Sequence, residues 1–218
     1  MFDGVIFDMD GLMVDTEPVW MECWEPALAH FGYAVPLGLA DAVRGSAGDT
    51  ASRILHEMVS PQLDTKAFWD YFSSLAEKIF SQGVEKKPGL DELLVYLGKR
   101  DVPCAVASSS SKKGIERNLR FIGDLDFFRA IVPSSEVAHA KPAPDIFLEA
   151  ARRLGTEPSR TMVLEDSFNG VRAGAAGGFF TVMVPDLAQP NDEIRSVASR
   201  VCSSLLEVRD LLAQGEMG

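Results

Sequence analysis

The sequence predicts an α/β protein, a doubly wound parallel sheet with an all-helical segment inserted into it. A short apolar strand opens the chain at residues 2–7, and helix and strand patterns alternate from Pro88 onward, which is typical of a parallel sheet covered by helices on both faces. Residues 16–83 show only helical periodicity. We therefore expect a core domain of residues 1–15 and 84–218 and a helical domain of residues 16–83.

The helical segment begins with a clear pattern. Apolar residues recur at spacings of three and four between Val19 and Phe31, with Thr16 as a candidate N-cap, Pro18 in the first turn and Gly32 just beyond the end. Two further helices are expected at residues 49–59 and 64–81, after a loop through residues 36–48. Residues 83–89 are expected to be the linker that returns the chain to the sheet.

The rest of the chain supplies the other strands and their crossover helices. After residues 2–7, the predicted strands span 102–107, 130–132, 161–164 and 179–184. The predicted helices of this part span 89–100, 111–121, 144–154, 168–177 and 203–213. A polar stretch with two prolines, residues 185–192, is expected to be a surface loop.

Composition and charge exclude several classes of protein. The 218 residues are 46% hydrophobic and 24% charged, as in an ordinary globular protein, without a run of about 18 apolar residues that could span a membrane. The N-terminal segment has no secretory pattern, so we expect a cytoplasmic protein. A net charge of −11 disfavours nucleic acid and anionic membrane as partners. Three widely separated cysteines are expected to be small buried side chains. They are Cys23, Cys104 and Cys202.

Carboxylates follow the first strand directly. Asp8 and Asp10 stand one residue apart where this apolar strand opens into a loop. Carboxylates are seldom buried unless they are paired or bind a metal, and ligands of open α/β sheets bind at the carboxyl ends of the strands. These acids therefore predict a cation at that edge of the sheet. The alternative is an acidic turn that only caps a helix.

Four stretches of the chain, in order, resemble the four motifs of the haloacid dehalogenase superfamily. Residues 8–16 are similar to its first motif, DxDGxxxD(S/T), and the other three follow at residues 106–110, 140–145 and 163–170. The residues of these motifs are most similar to those of the β-phosphoglucomutase-like branch, which includes sugar-phosphate and polyol-phosphate phosphatases. The resemblance implies a Rossmann-like core and a helical cap, inserted between the first two motifs, that opens and closes over the active site.

The resemblance also implies an active site built on carboxylates. Asp8 would be the nucleophile that forms an aspartyl phosphate, and Asp10 would be the general acid and base. Mg²⁺ would be held by Asp8, the Asp10 backbone carbonyl and Asp166, with Glu165 as a direct or indirect ligand. Two alternatives remain open: Asp10 could be a ligand or loop residue without proton transfer, and Asp166 could be only an N-cap.

Phosphate and substrate contacts follow from the same resemblance. Ser108 and Lys141 would bind the transferring phosphate, and Ser109 and Thr16 are further candidates for substrate binding. Arg44 occupies the place of the family's cap specificity loop and could contact the distal end of the substrate. The alternatives without a role in substrate binding are a serine run that caps the next helix, a solvated lysine and a solvent-exposed arginine.

The motifs favour a Mg²⁺-dependent phosphatase for a small sugar or polyol phosphate, acting as a monomer. The alternative is a β-phosphoglucomutase that interconverts β-glucose 1-phosphate and glucose 6-phosphate. The mutases of this branch carry a cap histidine at the position that Trp20 occupies here, which disfavours the mutase. A non-enzymatic sugar-phosphate sensor should have lost Asp8 or Asp10, and both are present.

Dehalogenase and phosphonatase activities are disfavoured as well. Dehalogenation does not need the Asp10 acid/base, and the phosphonatases use a cap lysine that has no counterpart here. The lysines of the cap and linker are instead expected to be solvated charges. They are Lys66, Lys78, Lys86 and Lys87.

Overall fold

The computed structural model describes residues 2–43 and 48–215. In chain order, the strands of these residues are β1 (Gly4–Phe7), β2 (Val14–Asp15), β3 (Glu85–Lys86), β4 (Cys104–Ser108), β5 (Ala130–Pro133), β6 (Thr161–Glu165), β7 (Phe180–Met183) and β8 (Arg200–Val201). The helices are α1 (Glu17–His30), α2 (Leu39–Val43), α3 (Gly48–Met58), α4 (Thr65–Phe80), α5 (Leu90–Gly98), α6 (Lys112–Phe121), α7 (Asp145–Leu154), α8 (Phe168–Ala176), α9 (Asp192–Val197) and α10 (Leu205–Gln214). Among the residues described, no helix is both long and apolar enough to cross a membrane.

A six-stranded sheet in the order β5-β4-β1-β6-β7-β8 forms the centre of the first unit. Every neighbouring pair is parallel, and Ile6 of β1 aligns with Ala105 of β4 on one side and Val163 of β6 on the other. β1 is a central strand, flanked by strands that come much later in the chain. The predicted α/β fold with a doubly wound parallel sheet is confirmed.

Two apolar layers cover the sheet because successive side chains of a strand point to opposite faces. Val5 and Phe7 belong to one buried cluster, which includes side chains of α5, α6 and α10. Ile6 belongs to the cluster on the other face, with side chains of α7 such as Phe147. A strand that is buried on both faces reads as an unbroken apolar run, which explains the sequence of β1.

The second compact unit spans Thr16–Gly83, and the first comprises Met1–Asp15 and Val84–Gly218. Within the second unit, α1 packs against α4 through aromatic side chains. The ring centroids of Trp24 and Phe72 lie 4.8 Å apart. The buried side chains of α4 recur every four residues, as expected for a helix with one apolar face. They are Phe68, Phe72, Ala76 and Phe80. The function of this unit as a cap stays a prediction.

The predicted helices and strands are all present, but several short elements were missed. α2 lies in the predicted loop, and β2 pairs with β3 in an antiparallel two-stranded sheet at the predicted linker. Two-residue strands are too short to show any periodicity in the sequence. α9 begins at the end of the predicted surface loop, where the side chain of Asn191 accepts a hydrogen bond from the Ile194 N–H at 2.9 Å. All three cysteines are free and buried, as expected.

Candidate active site

Three polar side chains meet at the carboxyl ends of three adjacent strands. Asp8 follows β1 directly, Ser108 ends β4 and Glu165 ends β6. All three are buried, with Glu165 inaccessible to solvent. The Asp8 N–H donates to the Leu164 carbonyl at 3.0 Å, which continues the pairing of β1 with β6. The sheet itself therefore places these side chains, since its parallel strands end at the same edge.

Lys141 reaches this edge from the loop that precedes α7. Its Nζ lies 2.5 Å from Asp8 Oδ1, 2.6 Å from Glu165 Oε1 and 3.2 Å from the Ala107 carbonyl oxygen. The ammonium also lies 4.7 Å from the centre of the Phe147 ring. Only 6% of the lysine side chain is exposed. Lys141 is thus a buried cation between two carboxylates and not a solvated surface charge; its contact with phosphate stays a prediction.

Asp10 is held by hydroxyl groups that follow β4. The Ser110 hydroxyl donates to Asp10 Oδ2 at 2.7 Å, and the Ser108 hydroxyl donates to the same oxygen at 3.2 Å. The Ser110 N–H in turn donates to Ser108 Oγ at 3.0 Å. Ser109 is exposed, and its carbonyl accepts from the Ser134 hydroxyl at 3.0 Å.

Ser110, which the sequence analysis did not select, therefore contacts Asp10, whereas the selected Ser109 is exposed and engages Ser134 through its carbonyl. The chain bends at residues 109–110, directly after β4, and the hydroxyls of Ser108 and Ser110 both reach Asp10 Oδ2. The signal that could have found Ser110 was the serine run itself, in which each hydroxyl is a candidate hydrogen-bond donor to a carboxylate.

Both carboxylate oxygens of Glu165 are already engaged. Lys141 donates to Oε1, and the Ser167 N–H and hydroxyl donate to Oε2 at 2.8 and 2.9 Å. A Cβ placed on Gly170 would lie 1.7 Å from Glu165 Oε1, so glycine is required where α8 begins. Glu165 is built into the structure as the partner of Lys141, which favours an indirect over a direct part in binding a metal.

Asp166 lies against the loop that follows β1. A Cβ placed on Gly11 would lie 2.5 Å from Asp166 Oδ2, and Gly11 has a φ of +87°, in the left-handed region that favours glycine. Gly11 therefore allows the loop that carries Asp10 to pass directly beside the Asp166 carboxylate. Asp166 also precedes the N-cap of α8, which is Ser167, so the N-cap alternative for Asp166 is wrong.

The charges of this site do not balance. Burial raises the pKa of Asp8 to about 7, and the Glu165 and Asp10 carboxylates add to this rise, while Lys141 opposes it. Burial, with the charges of Glu165 and Asp8, holds the pKa of Asp166 well above its usual range. Burial lowers the pKa of Lys141, but Asp8 and Glu165 outweigh this and hold it above its usual range. Three carboxylates, those of Asp8, Glu165 and Asp166, thus interact with one buried lysine, and a second cation would offset the excess negative charge.

The donor set fits Mg²⁺. Within the described ranges, no three His, Cys, Asp or Glu side chains converge as a ready-made metal site. Mg²⁺ does not require such a cage, because it keeps several waters and is usually held by one or two carboxylates together with substrate phosphate. The carboxylates of Asp8 and Asp166 and the backbone carbonyl of Asp10 are oxygen donors of that kind.

Two predicted substrate residues, Thr16 and Arg44, and the Trp20 that replaces the mutase histidine follow the first motif in the sequence. Thr16 is the N-cap of α1 and is buried, although its side chain makes no capping hydrogen bond. Arg44 lies outside the described residues. Trp20 is part of the aromatic packing, with its ring 5.2 Å from that of Phe80 and stacked on that of Phe72 at 6.1 Å. The substrate roles of Thr16 and Arg44 stay predictions.

Two of the four lysines that were expected to be solvated are in fact paired at the edge of the core. Lys86 Nζ lies 2.5 Å from Asp91 Oδ1, and Lys87 Nζ lies 2.7 Å from Asp186 Oδ1. Their side chains are 29% and 21% exposed, against 86% for Lys66. The prediction was wrong for Lys86 and Lys87 because β3 brings this linker against acidic residues of the core.

The chain resembles known proteins over most of its length. Residues 5–184 match the family model described as haloacid dehalogenase-like hydrolase. The chain is 33% identical to the fructose-1-phosphate phosphatase YqaB of Escherichia coli over 84% of this chain and 96% of the relative. It is 32% identical to (DL)-glycerol-3-phosphatase 2 of Arabidopsis thaliana over 94% of this chain and 88% of that protein.

A solved structure supports the same relationship. The crystal structure of CbbY from Rhodobacter sphaeroides in complex with phosphate superposes with a TM-score of 0.83 at 25% identity, covering 95% of this chain and 96% of that one. The match to the family model takes in the strand ends that carry Asp8, Ser108 and Glu165. The chain belongs to the haloacid dehalogenase-like hydrolase family and is a phosphatase of that family.

Proposed function

We propose that this protein is a Mg²⁺-dependent phosphatase that hydrolyses a small sugar or polyol phosphate through a phosphorylated Asp8. The observation that carries the proposal is the setting of Asp8, which is buried at the end of the central strand with Lys141 2.5 Å away. Because burial raises the pKa of Asp8 to about 7, positive charge is needed to keep the nucleophile ionised at neutral pH, and its repulsion from an anionic phosphate must be offset as well. Lys141 and a bound cation would provide that positive charge.

In the first step, an Asp8 carboxylate oxygen bonds to phosphorus and the bond from phosphorus to the substrate oxygen breaks. Asp10 gives its proton to the departing alkoxide, and the Ser108 and Ser110 hydroxyls hold the carboxyl in place for this transfer. Mg²⁺, when bound, would neutralise charge on the phosphoryl oxygens. Lys141 stays beside Asp8 and stabilises the same charge from the protein.

In the second step, water attacks the phosphorus of the aspartyl phosphate. Asp10, now ionised, takes a proton from this water, and the bond between phosphorus and the Asp8 oxygen breaks. Inorganic phosphate leaves and Asp8 returns to its carboxylate form. The same side chain thus acts as an acid and then as a base, so each turnover restores the starting protonation state.

The substrate class rests on the relatives and on the absence of a mutase feature. The relatives named above are phosphatases for fructose 1-phosphate and glycerol 3-phosphate, which are small sugar and polyol esters. Trp20 stands where the mutases of this branch carry a histidine, and its ring packs on Phe72 and Phe80. This favours hydrolysis over transfer to a second sugar hydroxyl. The cytoplasmic location and the monomeric state expected from the sequence stay predictions.

The direct test is to follow phosphate release and glucose 6-phosphate formation in parallel, with Mg²⁺ and a panel of hexose and polyol phosphates that includes β-glucose 1-phosphate. We expect phosphate release without isomerisation. Isomerisation without release, in the presence of a bisphosphate activator, would establish the mutase instead. If no ester in the panel releases phosphate, the proposed function is wrong.

Metal binding can be tested without measuring activity. Because anything that binds only the folded state stabilises it, Mg²⁺ should raise the thermal midpoint of the wild-type protein, and a chelator should reverse the shift. Asp166→Asn should remove most of this shift. Asp210→Asn, a change of the same kind on the exposed side of α10, should leave it intact. An unchanged Mg²⁺ shift in Asp166→Asn would remove Asp166 as a ligand.

The two serines after β4 make a matched pair of variants. Ser110→Ala removes the 2.7 Å hydrogen bond to Asp10, and the loss of one such bond, about 1 kcal/mol, should lower kcat about fivefold. Ser109→Ala removes an exposed hydroxyl and should leave kcat unchanged. Steady-state kinetics on the ester that the wild type hydrolyses best measures kcat for both variants. A larger loss in Ser109→Ala than in Ser110→Ala would contradict the assignment.

A further inference from the structure

The chain passes between the two units at residues 15–16 and 83–84, and the core ends of both crossings are joined by the β2-β3 pair. Lys87 follows β3 directly. Its N–H donates to the Met13 carbonyl at 2.9 Å, and its Nζ lies 2.7 Å from Asp186 Oδ1 and 3.4 Å from Asp15 Oδ1. Lys87 thereby joins the loop after β1 to the segment after β7.

The other end of this connection lies beside the active site. A Cβ placed on Gly11 would lie 3.3 Å from Asp186 Oδ2, so the carboxylate that Lys87 holds borders the residue next to Asp10. The loop is also tied to itself, since the Gly11 N–H donates to the Val14 carbonyl at 2.9 Å. A shift of the loop at its Asp15 end would therefore be passed to Asp10.

The partial burial of Lys87, Asp186 and Asp15 indicates that their ion pairs fix the positions of the chain segments that carry them. The side chains of Lys87 and Asp186 are 21% and 17% exposed, and that of Asp15 is 36% exposed. Such partly buried pairs restrict their partners more than exposed pairs, which contribute little. The Lys87 pairs also join segments that are 72 and 99 residues apart in the chain, so no local helix or turn could replace them.

We propose that Lys87 is a positioning residue for the general acid and base. Its ammonium holds Asp15 and Asp186 together, which fixes the loop after β1 against the segment after β7 and keeps Asp10 facing the Ser108 hydroxyl. This inference rests on the proposed role of Asp10 in proton transfer. It assigns a part in the reaction to a linker lysine that makes no contact with the residues proposed to react.

The test compares two neighbouring lysines on two substrates, a phosphate ester and an acyl phosphate. Lys87→Met should lower kcat/KM for the best sugar or polyol phosphate about tenfold, because a small misplacement of a catalytic group is costly. With acetyl phosphate, whose acetate leaving group needs no proton, kcat/KM should stay within about twofold of the wild type, since Asp10 is not needed as an acid. Lys86→Met likewise removes two ion pairs, with Asp91 and Asp124, and should leave both values unchanged.

The partner of Lys87 gives a second measurement. Asp186→Asn removes the same contact from the other side and should show the same dependence on the substrate, and the double variant Lys87→Met/Asp186→Asn should be no worse than either single one. These variants decide the question even if Lys87→Met does not fold. If wild type is active and Lys87→Met behaves as Lys86→Met, or loses activity equally on both substrates, the inference is wrong. If wild type hydrolyses no ester, the proposed function itself fails.

Discussion

Asp8→Asn is expected to lower kcat by at least about 10³-fold, the scale of loss seen when a catalytic nucleophile is removed. An amide oxygen is uncharged and is a far weaker nucleophile towards phosphorus than a carboxylate oxygen. The fold should be retained, since Asn has nearly the same shape and the change removes one of the carboxylates that crowd Lys141. Steady-state kinetics and thermal unfolding of the same preparations measure both effects.

Asp3 offers the matched control for this variant. It lies just before β1, where Arg160 donates to its carboxylate at 2.5 and 2.7 Å, at the end of the strand away from the active site. Asp3→Asn makes the same chemical change and should keep the wild-type kcat. Substantial turnover by Asp8→Asn would rule out Asp8 as the nucleophile.

Lys141→Met is expected to reduce both activity and stability. The variant leaves Asp8 and Glu165 buried without their cation, and breaking a buried pair in this way costs about 3–5 kcal/mol. The loss of positive charge beside the transferring phosphoryl group should also lower kcat about 10²- to 10³-fold. Denaturant unfolding gives the change in the free energy of unfolding, and the phosphate-release assay gives kcat.

Two further variants show whether this loss comes from unpaired carboxylates. Adding Glu165→Gln to Lys141→Met removes one uncompensated charge and should recover part of the lost stability without restoring kcat. Lys66→Met, on an exposed helix face where the lysine pairs with Asp70, should change neither quantity. Wild-type stability of Lys141→Met would contradict the buried arrangement of Lys141.

The sheet and the main polar residues of the site could be predicted because their signals are local. The apolar run of β1 followed at once by Asp8 places a carboxylate at a strand end, and the parallel alternation of strands then fixes which edge that is. The resemblance to known motifs added Lys141, whose position could not follow from periodicity. Its ammonium meets Asp8 across 133 residues of chain.

The rest depended on geometry that a sequence pattern does not carry. The choice between Ser109 and Ser110 depends on the side to which each points after β4, and this is decided where the strand ends. The pairing of Lys87 with Asp186 requires β3, a two-residue strand that leaves no periodic signal, and a contact across 99 residues. Without knowledge of this strand and this contact, the charged side chains of a linker between two domains are most simply expected to be solvated.

The central claim is that the phosphoryl group passes through Asp8, and it can be tested by trapping that state. Asp10→Asn should still accept the phosphoryl group of acetyl phosphate, because acetate leaves without a proton, but should hydrolyse the product slowly for lack of a base. After an acid quench and digestion, mass spectrometry should then find one phosphoryl group on the peptide that contains Asp8. A phosphoryl group on another residue, or none while the wild type hydrolyses acetyl phosphate, would contradict the account.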